Sequence, residues 1–65
     1  MKGYYWGFHH VNDTYMVKLY YGPMEMKNAE RSEFVSAVAG PVLANDRQDA
    51  INQLITLLRI KQGLY

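Results

Sequence analysis

Seven of the nine aromatic residues of this chain fall within its first 21 positions: Tyr4, Tyr5, Trp6, Phe8, Tyr15, Tyr20 and Tyr21. They form two runs of strand-favouring residues separated by Asn12-Asp13, the layout of a β-hairpin. A two-residue turn at Asn12-Asp13 sets Val11 opposite Thr14. Tyr4 then faces Tyr21, Trp6 faces Leu19, Phe8 faces Val17 and His10 faces Tyr15, all on one side. The other side carries Tyr5 with Tyr20, Gly7 with Lys18 and His9 with Met16. The first set is the expected core. The second leaves Tyr5, His9, Met16, Lys18 and Tyr20 facing outward as the candidate protein-binding residues, with Lys18 arguing against the opposite register.

A chain of 65 residues has room for one small α+β domain, spanning residues 1–65. Ordering it costs about 1.5 kcal/mol per residue, which apolar burial must offset. Half the residues are apolar (49%), but there is no cysteine, so disulfides, thiolate metal sites and thiol catalysis are excluded. Self-association is the expected supplement, and a homodimer the expected state. No apolar leader run or membrane-length stretch is present, so a cytoplasmic protein with no membrane partner is expected. The net charge of +1 gives little drive toward nucleic acid.

Beyond the hairpin, Gly22-Pro23 interrupts the second strand. Met24–Lys27 alternates briefly and Asn28–Ser32 is polar. The stretch Glu33–Ala39 reads either as a strand or, from about Ala29, as a helix stopped by Gly40-Pro41. The strand is preferred because a lone hairpin offers a long helix too little sheet to cover. Its alanines suit close helix packing. A final helix starts at an Asn45 or Asp46 cap, ends near Gln62 and is stopped by Gly63. Its stripe of Ala50, Ile51, Leu54, Ile55, Leu57, Leu58 and Ile60 is wide enough for burial on two sides. The expected fold is an antiparallel sheet of three strands packed against one C-terminal helix. The alternative is a hairpin with two helices.

Catalytic and metal signatures are weak. His9 and His10 point to opposite faces of a strand and cannot chelate one ion. Asp46 and Asp49 are accounted for as helix cap and dipole partner. Ser32 and Ser36 have no activating base in a recognisable pattern. The chain is therefore expected to be non-enzymatic, without cofactor or metal. Met16, Met24 and Met26 suit either core filling or an adaptable contact surface.

Three strands followed by a helix, with the aromatic Gly3-Tyr4-Tyr5 opening, resembles the arm-binding domain of tyrosine recombinases, whose sheet enters a DNA groove. The near-neutral charge departs from the basic character of those domains. Gly40-Pro41 through Asp46 to Ala50-Ile51 and Leu54 resembles the strand-to-helix passage of HicB-type antitoxins, over about a quarter of the chain. Neither likeness identifies a family. The expected function is a protein-binding module of the phage or mobile-element accessory kind, which inhibits or regulates a host protein by occupying its surface. The alternative is nucleic-acid binding, with Tyr5, His9, Met16 and Tyr20 as a base-stacking platform beside Lys18.

Overall fold

The computed structural model describes residues 2–63. Among these residues are strands β1 (Gly3–His10), β2 (Tyr15–Leu19) and β3 (Val35–Ala44), and helices α1 (Pro23–Arg31) and α2 (Arg47–Lys61). The strands form one antiparallel sheet in the order β2-β1-β3, so the aromatic first strand is central. The fold class is α+β.

The hairpin forms where the aromatic runs place it, but with a loop of three residues. The His10 amide donates to the Thr14 carbonyl at 2.8 Å and the Asp13 amide to the His10 carbonyl at 2.9 Å. Asp13 takes a left-handed φ of 70°, the closing conformation of a three-residue hairpin loop. Two side-chain contacts hold the loop. Asp13 meets the His9 ring at 2.9 Å, and the Thr14 hydroxyl donates to the Asn12 side-chain Oδ1 at 2.7 Å.

The extra loop residue corrects the expected register by one position. Tyr5 pairs with Leu19, Trp6 with Lys18, Gly7 with Val17, Phe8 with Met16 and His9 with Tyr15. Because side chains alternate, that slip exchanges the faces of β1 relative to β2. Packing explains why this register prevails. Val17, Ala39, Ala44, Ala50, Leu54 and Leu58 form the buried core, with Tyr5, Tyr15, Ala37, Val42 and Ile51 against it. Gly7 and the alanines make a shallow bed on which α2 lies close. A methyl group on Gly7 would sit 2.6 Å from the Met16 carbonyl oxygen and 3.5 Å from Leu54. Trp6 and Phe8 are too large for that bed and occupy the other face. Lys18 also lies there, half-exposed, its stem along the aromatic surface and its ammonium 3.8 Å from Glu25.

The preferred strand near Glu33–Ala39 is present, but it starts at Val35 and runs through Gly40-Pro41 to Ala44. Pro41 is tolerated because the β1–β3 register shifts there, and a bulge needs no ladder donor. Gly40, at φ 112°, passes so near Trp6 that an added Cβ would lie 2.9 Å from the Trp6 Cα. The segment between the hairpin and β3, which alternates only briefly and is then polar, is a helix. Pro23 opens α1, Glu25 stands in its first turn and Arg31 in its last, which suits the helix dipole.

Helix α2 starts at Asp46, whose carboxylate accepts the Asp49 amide at 2.8 Å. Asp49 in turn accepts the Asn45 amide at 2.9 Å, a reciprocal cap. Its polar side chains also reach the strands. Arg47 donates to the Val17 carbonyl at 3.1 Å, Gln53 to Leu43 at 3.1 Å and Lys61 to Val38 at 2.7 Å. β2 and β3 are the outer strands, and these contacts occupy backbone acceptors on each, which blunts both edges against further strand pairing.

Candidate functional site

The five residues expected to share one surface are divided between the two faces. Tyr5 and His9 lie on the α2 side, Tyr5 half-buried against the core and His9 buried. Met16 and Lys18 are exposed on the α1 side. Tyr20, just past β2, donates its amide to the Tyr4 carbonyl at 2.9 Å and by alternation follows Met16 and Lys18. The surface predicted from a two-residue turn is therefore not a continuous patch.

The face that alternation had assigned to the core is the half-open one. Trp6 lies at its centre, 2% exposed, with its ring 5.5 Å from Phe8. Around it Tyr4 is 56% exposed, its cross-strand neighbour Leu43 50% and Phe34 57%. Met16, opposite Phe8, is exposed as well. His10 stacks on Phe34 with centroids 6.2 Å apart and planes within 7°.

Helix α1 spans part of this face and buries none of its own side chains. Between it and the sheet lies a cleft of about 460 Å³, lined by Trp6, Phe8, His10, Lys18, Glu25 and Phe34 among others. The Trp6 indole N–H is buried without a hydrogen-bond partner among the described residues. Such an orphan donor costs about 1–3 kcal/mol.

The wide stripe of α2 resolves into graded burial. Ala50, Leu54 and Leu58 are buried, Ile51 and Ile55 half-buried, and Leu57 and Ile60 exposed. His9 and His10 point to opposite faces. Among the described residues no three His, Asp or Glu side chains cluster closely enough to hold a metal ion. No helix of the described residues is long and apolar enough to cross a membrane.

One constellation escaped the sequence reading. The His9 Nδ1 is hydrogen-bonded to the Ser36 Oγ, and its Nε2 lies 2.9 Å from an Asp13 carboxylate oxygen. Ser36 has a base beside it after all. The two residues are 27 positions apart and meet only through the β1–β3 pairing, so no local spacing announces them. No protein-family model matches the chain, and no curated protein or solved structure matches it either.

Proposed function

We propose that this chain is a small protein-binding module, assembled as a homodimer through the half-open aromatic face of its sheet. One observation supports the reading. Tyr4, Leu43, Met16 and Phe34 are exposed on the side of the sheet where Trp6 and Phe8 lie beneath a loosely packed α1. Exposed aromatic and methionine surface of this kind marks contact sites, and a small domain without disulfides gains from covering it. The blunted sheet edges favour a face-to-face contact over strand addition. Lys18 has Glu25 as a neighbour at 3.8 Å, and the net charge of +1 gives phosphate little attraction, which disfavours nucleic acid as the partner.

Solution mass tests the proposal. The expected species at tens of micromolar is a dimer, and Tyr4→Lys combined with Leu43→Lys is expected to give a folded monomer. Both side chains are exposed, so the substitutions leave the core untouched. A monomeric parent chain, or a double variant that still dimerises, refutes the reading.

A further inference from the structure

The sharpest unassigned chemistry lies at the outer edge of β3. Val35 pairs with His10 and Ala37 with His9, so Ser36 is the extra residue of a β-bulge. Bulges re-aim side chains, and this one brings the Ser36 hydroxyl onto the His9 ring. Asp13 holds the opposite ring nitrogen at 2.9 Å. A carboxylate only accepts hydrogen bonds, so Nε2 carries the ring proton and Nδ1 offers its lone pair to the serine hydroxyl, for which the His9 carbonyl oxygen at 3.2 Å is the competing acceptor. Nucleophile, base and orienting carboxylate are thus joined in series, the relation that defines an activated serine irrespective of fold. The ring is used in the reverse sense to the familiar serine hydrolases, with Nδ1 toward the serine.

Two further features complete a reaction site. Ser36 is solvent-exposed and lines an open groove of about 450 Å³ along β3, bounded by Glu30 and Lys61. The Gln62 side-chain amide stands 3.3 Å from the Ser36 Oγ, where it can donate to an oxygen bonded to the attacked carbon.

We propose that Ser36 is an activated nucleophile and that the Asp13–His9–Ser36 chain hydrolyses small acyl esters entering the groove beside β3. The Ser36 Oγ attacks the ester carbonyl carbon while its proton passes to His9 Nδ1. The Gln62 amide and the Lys61 charge stabilise the oxyanion. The tetrahedral species collapses, the bond to the leaving alcohol breaks, and that alcohol takes the proton from His9. Water then attacks the acyl-serine with His9 again as base, releasing the carboxylic acid and restoring the hydroxyl. The net reaction is ester plus water to acid plus alcohol. Ser36 and His9 are the catalytic residues. Asp13, exposed and acting through the ring, is a positioning residue. This site is separate from the aromatic face and does not depend on dimerisation.

The chain contains its own control, because Ser32 is its only other serine. The full chain is treated with an alkyl fluorophosphonate and the modified serine is located by tandem mass spectrometry. Turnover of p-nitrophenyl acetate is followed in parallel. Ser36 is expected to react at least about a hundredfold faster than Ser32, the lower end of base assistance. Ser36→Ala abolishes the turnover. Asp13→Asn keeps a residue that tolerates the left-handed turn, so the fold survives while the labelling rate drops and its pH profile changes. Equal labelling of Ser32 and Ser36, turnover unchanged in Ser36→Ala, or a pH profile indifferent to Asp13→Asn overturns the proposal.

Discussion

The two helices lie on opposite faces of one sheet and are held in contrasting ways. Helix α2 buries Ala50, Leu54 and Leu58, is capped reciprocally by Asp46 and Asp49, and sends Arg47, Gln53 and Lys61 to strand carbonyls. Helix α1 buries nothing, lacks a side-chain cap and, among the described residues, has one ion pair to the sheet, at 3.8 Å. The difference follows from the sizes of the side chains beneath them. Glycine and alanine let one helix approach until its leucines are enclosed, whereas Trp6 and Phe8 hold the other at a distance and leave a cleft. The enclosed leucines lie on the first face, and the exposed Tyr4, Met16, Phe34 and Leu43 lie on the second.

The strongest way to break this contrast is to truncate one side chain on each helix. Leu54→Ala removes a fully buried side chain and is expected to cost about 2–5 kcal/mol in chemical denaturation. A domain of this length has on the order of 3–10 kcal/mol in total, so partial unfolding at room temperature is the expected appearance. Met26→Ala, at a half-buried position of α1, is expected to cost less than about 1 kcal/mol. Comparable losses at the two positions would abolish the distinction drawn between the faces.

Much of this arrangement was legible from residue order. The aromatic hairpin, the third strand and the capped C-terminal helix all follow from alternation, propensity and end signals that act locally. The faces of the hairpin did not, because they depend on whether Val11 or His10 pairs with Thr14. One residue in that loop moves Tyr5 and His9 from the outside to the α2 side. Helix α1 was obscured because its apolar residues are few and none is buried, so periodicity carries little signal, although Pro23 and Glu25 mark its start. Ser36 became part of a site only through a bulge, a feature of strand pairing that no single segment encodes.

A smaller effect sharpens the comparison at the helix start. Asp46→Ala removes the side chain that accepts the Asp49 amide and is expected to cost about 1 kcal/mol. The loss should appear in amide hydrogen exchange as faster exchange in the first turn of α2, with α1 unaffected. Exchange in α1 is expected to be fast already, since few contacts oppose its local opening. Protection of α1 amides equal to that of α2 would contradict the loose attachment.

The smallest expected effect concerns the Lys18–Glu25 pair, the ionic link between α1 and the sheet. At 3.8 Å, with both side chains about half exposed, the pair is well screened by water. A double-mutant cycle with Lys18→Met and Glu25→Gln is expected to give a coupling of about 0.5 kcal/mol or less, shrinking further in high salt. The Lys18 stem contributes separately by covering aromatic surface, so Lys18→Met is expected to be nearly neutral whereas Lys18→Ala exposes more of Trp6 and Phe8. A coupling above about 1 kcal/mol would make the ion pair the principal fastening of α1, and the cleft beneath it would then be a rigid feature of the domain instead of a loosely covered one.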